Sequence, residues 1–151
     1  VFEGQVREST RAREAYFIAY AEEVLKTART PVMVTGGFRS RAAMEEAIEG
    51  GVAMVGIGRP VCVEPDAFAR LLSGEMDALP AFERHLKLGS GYFGPASPND
   101  LIKAANALSA MAFYYRNIIR MGDGKPTRAS MNLLFALIKH QMQDAADAKV
   151  M

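Results

Sequence analysis

The chain has 151 residues, 50% hydrophobic and 23% charged, with 18 Lys+Arg against 17 Asp+Glu. That suits one ordinary domain and excludes disorder, collagen-like repeats and the basic excess of a nucleic-acid binder. The single cysteine, Cys62, cannot close an intrachain disulfide, and no apolar run reaches the roughly 18 residues that span a bilayer, so a reducing, cytoplasmic setting with no membrane or nucleic-acid partner is expected.

The chain opens on Val1 instead of Met and shows no signal-peptide pattern, as a piece of something longer would. Ser9 or Thr10 can cap a helix to about Lys26, whose apolar positions Phe17, Tyr20, Ala21, Val24 and Leu25 recur with a 3.6 period. Thr30-Pro31 ends it, and Val32-Met33-Val34-Thr35 reads as a buried strand stopped by Gly36-Gly37. Ser40 offers an N-cap for a helix over Arg41 to about Glu49, closed by Gly50-Gly51. Ala53-Met54-Val55-Gly56-Ile57 is a second buried strand, stopped by Gly58-Arg59-Pro60. Pro65 fits position N1 of a helix through Phe68, Leu71 and Leu72 that ends at Ser73-Gly74. A helical turn or two over Glu83 to Leu88 and a loop over Gly89 to Pro95 follow. Ser97-Pro98-Asn99-Asp100 reads as the start of a helix to about Met121, with Ser97 as cap. Thr127 is expected to cap the last helix, about Arg128 to Asp147, with Leu133, Leu134, Leu137, Ile138 and Met142 as its stripe. Each of these two helices carries an apolar stripe too wide to face water alone, so the pair is expected to pack on the outside of the β/α unit.

Strand, turn, helix, turn, strand is one βαβ unit, which requires parallel strands and a right-handed crossover. Strands apolar at nearly every position need cover on both faces, yet only two are present. A closed (β/α)₈ barrel needs eight strands and typically about 250 residues. The fold class is therefore α/β: the last two parallel strands of a (β/α)₈ barrel followed by a helical tail. Residues 1–74 read as the last β/α units, 75–96 as a connecting loop region and 97–151 as the tail. Either the remaining strands or another copy of the chain, in a homo-oligomer, should complete the sheet.

Gly36 and Gly58 are 22 residues apart, one β/α repeat, which places them on adjacent strand tips. Small residues let a ligand approach the backbone, turns expose N–H groups, and a helix after each turn brings partial positive charge. Arg59 adds a charged fork suited to phosphate. In (β/α)₈ barrels a phosphate site is frequent at the loops after strands 7 and 8. Gly36, Gly37, Gly58 and Arg59 are the candidate binding residues.

Arg13-Glu14-Ala15-Tyr16-Phe17, Thr30-Pro31-Val32-Met33-Val34-Thr35-Gly36-Gly37-Phe38-Arg39 and Gly56-Ile57-Gly58-Arg59-Pro60 resemble the C-terminal part of the Old Yellow Enzyme family, the FMN-binding NADH:flavin oxidoreductase barrels. The likeness is best over residues 11 to 72 and looser through Tyr114-Tyr115 and Arg120 to Pro126. It implies that the backbone at Gly36, Gly37 and Gly58, with Arg59, holds the FMN phosphate. NAD(P)H would be the reductant and a small molecule the acceptor. It also implies that the groups for the flavin ring, the substrate-binding histidine or asparagine pair and the proton-donating tyrosine lie on earlier strands, so no catalytic residue is assigned here. α-Hydroxy-acid oxidases and IMP dehydrogenases use similar turns, although they usually carry an acid where this chain has Thr35. A phosphate-binding fragment that self-associates without catalysis is the reading from another class.

His85 and His140 lack acidic or cysteine partners at ligand spacing and read as a surface turn and a solvent-facing stripe, so no metal site is assigned. Cys62 reads as a small buried hydrophobe, and Glu22-Glu23 and Glu45-Glu46 as solvated charge. Tyr92-Phe93 suits either cover for a flavin edge or neighbouring subunit, or anchoring against the barrel.

Overall fold

The computed structural model describes residues 8–148, which fall into two compact units. The first runs to Val61 and includes Pro65–Ala81; the second comprises Cys62–Glu64 and the chain from Phe82 onward.

The first unit holds α1 (Glu8–Leu25), β1 (Met33–Thr35), α2 (Arg41–Glu49), β2 (Met54–Gly56) and α3 (Ala67–Leu72). The strands pair in parallel as a two-stranded sheet with Met33 opposite Met54, Val34 opposite Val55 and Thr35 opposite Gly56. Alternation sends Val34, Val55 and Ile57 toward the core of Ile18, Ala21, Phe38, Ala43, Met44, Ala47, Ala67 and Leu71. The opposite face is open: Met33 is 59% and Met54 58% exposed. The expected cover of both strand faces is thus present on one face only, the face toward the helices.

Serine at position 40 has extended φ/ψ and its hydroxyl accepts from the Ala43 N–H, so α2 starts where the sequence places it. In α1 the buried face is Thr10, Glu14, Ile18 and Ala21, whereas Tyr20 is 63% exposed. The apolar spacing misplaces this face because two of its buried members are polar. Both proposed caps, Ser9 and Thr10, lie inside the helix.

The second unit is built on α4 (Asp100–Gly122) and α5 (Leu133–Asp147), which pack together, with single 3₁₀ turns at Phe82–Arg84 and Gly91–Phe93. Its core joins Val63, Phe82 and Phe113, with Leu86, Tyr114, Met131 and Leu133 against them. Asn99, not Ser97, caps α4, its side chain accepting from Leu101 and Ile102 N–H. The Ser97 hydroxyl instead accepts from the Asn99 N–H at 3.1 Å, forming the turn that leads in. Asn132, not Thr127, caps α5. Asn117, fully buried on α4, explains the late start: its Oδ1 accepts from Arg128 N–H at 2.7 Å, and its Nδ2 donates to the Arg128 carbonyl at 3.4 Å. That pairing ties the chain at Arg128 to α4, and a turn at Ala129–Ser130 follows before Asn132 caps the helix. In α5 Ala136 is buried, whereas Leu134, Ile138 and Met142 of the expected stripe are more than half exposed.

Candidate functional site

Because the pairing is parallel, both strands finish at the same end of the sheet, with Thr35 beside Gly56. The segments beginning at Gly36 and Ile57 therefore leave the sheet next to each other. Gly36 (φ 100°) and Gly37 (φ 80°) both have left-handed backbone that side chains resist, which is why this turn needs two glycines. Their surroundings differ. A Cβ at Gly36 would meet open space, as would one at Gly58, so an outside group can reach the backbone at either. A Cβ at Gly37 would collide with the Phe17 ring of α1. Gly37 thus serves packing beneath the turn, and Gly36 and Gly58 supply the open approach. Gly56 has its own reason: the Thr35 hydroxyl lies where a Cβ would stand. Arg59 is exposed on the segment that follows Gly58.

The Glu14 carboxylate, 2% exposed, sits at the far end of the first turn. Its Oε1 accepts from the backbone N–H groups of Arg39 (2.6 Å) and Ser40 (2.8 Å), and its Oε2 from the Ser40 hydroxyl (2.9 Å). The two backbone N–H groups that lead into α2 are thus taken by an internal carboxylate. The second turn differs. After Arg59 the chain makes further turns, and α3, only six residues long, begins at Ala67 with no side-chain cap bond from Asp66. What remains for an anion is exposed backbone at Gly36 and Gly58 and the Arg59 guanidinium. The apolar groove lined by Met44, Ile48, Met54, Phe68 and Leu72 takes no residue from either turn.

The sequence motifs single out the glycines and Arg59 and give Glu14 no role. A carboxylate between Arg13 and Ala15 in a charged helix reads as solvated; only its place in the Arg13–Phe17 motif marks it. Glu22-Glu23 and Glu45-Glu46 are exposed, Glu23 pairing with Lys26 and Glu45 with Arg41. His85 is exposed on its turn. His140 is not solvent-facing: its side chain is 12% exposed, stacks on Tyr115 at 5.3 Å and lies 3.5 Å from Asp144. Cys62 is half-buried, and burial pushes its thiol pKa up. Tyr92 and Phe93 are both more than half exposed and meet edge to face at 5.5 Å.

Comparison with known proteins returns three fungal enzymes. The chain is 46% identical over 54 residues to the NADH-dependent flavin oxidoreductase iliE of Hypocrea jecorina (strain QM6a), a match covering 34% of this chain and 14% of that protein. It is 42% identical over 55 residues to the NADH-dependent flavin oxidoreductase iccE of Talaromyces variabilis, covering 35% and 13%. It is 43% identical over 56 residues to the iliE enzyme of Neonectria sp. (strain DH2), covering 36% and 7%. No family model and no solved structure matches. The matched region thus spans a small fraction of the relatives' length. Over about a third of its residues the chain is similar to NADH-dependent flavin oxidoreductases, in keeping with its resemblance to the C-terminal part of the Old Yellow Enzyme family.

Proposed function

We propose that this chain is the C-terminal portion of an FMN-dependent NAD(P)H oxidoreductase of the (β/α)₈ barrel type, and that it holds the phosphate end of the cofactor. The observation that carries the reading is the pair of adjacent strand tips where Gly36 and Gly58 leave backbone open to approach and Arg59 stands exposed beside them. A phosphate monoester fits this set: it accepts from backbone N–H and from a guanidinium that can meet two of its oxygens at once. The fungal relatives, named as NADH-dependent flavin oxidoreductases, support a flavin as the molecule bearing that phosphate.

In this reading the division of labour is simple. FMN, when bound, carries hydride from NAD(P)H to a small-molecule acceptor. This chain's residues anchor its phosphate, and the groups that meet the ring and the acceptor belong to the remaining strands of the barrel. The Met33/Met54 face is where those strands, or a second copy of the chain, would pack.

FMN titration into the chain and its Arg59→Ala variant tests the assignment. Loss of a hydrogen bond to a charged group should weaken binding by about 1.5 to 3 kcal/mol. Equal affinity in the two proteins would refute it.

A further inference from the structure

We propose that Glu14 is a positioning residue for the anion-binding turn: it fixes the far end of residues 36 to 40, so that the glycine end is presented in one shape. The proposal rests on the reading above that this turn receives the FMN phosphate. It assigns the affinity in part to a side chain that never touches the ligand.

Two consecutive glycines with positive φ are the least constrained stretch a turn can have, and an unconstrained turn binds weakly because ordering it costs entropy on every binding event. Here that freedom is removed from three sides. Pairing of Thr35 with Gly56 fixes the near end. The Phe17 ring fills the space beside Gly37, and Phe38, 1% exposed, is sunk in the core. Glu14 takes the far end with three hydrogen bonds, two of them to the backbone N–H groups of Arg39 and Ser40. Glu14 and Phe17 are three residues apart on α1, one helical turn, so a single helix face grips both halves of the loop.

The same bonds divide the turn chemically. The N–H groups of Arg39 and Ser40 are directed at an internal carboxylate, so an incoming anion meets the turn from its Gly36 end. The charge cost of burying Glu14 is offset by those donors and by the Ser40 hydroxyl, which also accepts from Ala43 N–H to cap α2. Glutamine at position 14 keeps an oxygen for the two backbone N–H groups; alanine keeps nothing.

The test uses the ¹⁵N-labelled 151-residue chain, with FMN and inorganic phosphate titrated separately into wild type, Glu14→Gln, Glu14→Ala and Ser40→Ala. Binding is read from the Gly36, Gly37 and Gly58 amide signals. The expected loss is about tenfold or more for Glu14→Ala and only a few-fold for Glu14→Gln and Ser40→Ala, parallel for FMN and phosphate, with Arg39 and Ser40 amide signals moving as their acceptor is lost. Partial rescue by glutamine separates positioning from helix stability, since alanine is the better helix former. Should Glu14→Ala fail to fold, the Glu14→Gln and Ser40→Ala proteins decide. Wild-type affinity in the folded variants, or equal losses for glutamine and alanine, would overturn the proposal while leaving the phosphate reading intact. Failure of that reading is distinct: FMN and phosphate would leave the wild-type glycine signals unmoved, and both conclusions would fall.

Discussion

Replacing Gly37 by alanine would impose two separable penalties on the turn, and its neighbour Gly36 provides the control. Both residues have positive φ, 100° at Gly36 and 80° at Gly37, so alanine at either carries a backbone cost of about 1–2 kcal/mol. At both, alanine recovers about 0.4–1 kcal/mol by stiffening the unfolded chain, a term that cancels between them. Only at Gly37 does the new methyl group enter occupied space, against the Phe17 ring, and overpacking of that kind adds about 1–3 kcal/mol. Gly37→Ala should therefore be less stable than Gly36→Ala by about 1–3 kcal/mol, the overpacking cost alone. Urea denaturation of the two variants, followed by circular dichroism at matched m-values, measures the difference. Adding Phe17→Ala to Gly37→Ala should recover part of the loss, a coupling expected only of residues in contact. If Gly36→Ala costs as much as Gly37→Ala, or if the Phe17 and Gly37 changes simply add, the packing beneath the turn is not as described.

Asn117→Ala leaves the Arg128 N–H without its acceptor and should destabilise the second unit by about 1–3 kcal/mol, measurable by denaturation. An unchanged midpoint would show that Asn117 does not hold the approach to α5. The thiol of Cys62 has a pKa raised by burial, so its contribution to stability is fully present below the ordinary thiol pKa and is lost as pH rises through the raised one. Its rate of alkylation by iodoacetamide should accordingly rise at a higher pH in the native chain than in urea. Coincident profiles would contradict this.

The parts of the fold legible in the sequence are those set by local chemistry. Ser40, Gly50 and Gly51 bracket α2 at its observed bounds because cap and stop residues act within a turn of themselves. The strands and their parallel order follow from two apolar runs joined by one helix. The observed caps differ from Ser97 and Thr127 because several cap-type residues stand in succession there: the Ser97 hydroxyl is taken by the Asn99 N–H, and Asn117 holds Arg128 from eleven positions away. In the candidate site Gly36 and Gly37 are visible because their positive φ suits few other residue types. Glu14 is not, because its partners, 25 and 26 positions along the chain, are brought to it only by folding.

The β1–β2 ladder pairs only three residues on each side, and this bears on the order of folding. So short a pairing cannot nucleate by itself, since closing the 21-residue span from Met33 to Met54 costs chain entropy before any ladder bond repays it. Forming α2 first shortens that span, and docking Ala43, Met44 and Ala47 brings the strands within reach. The ladder should therefore form late, following the helix instead of guiding it. Mutations that loosen α2 would then slow the meeting of the two strand tips even where no residue of either tip is altered.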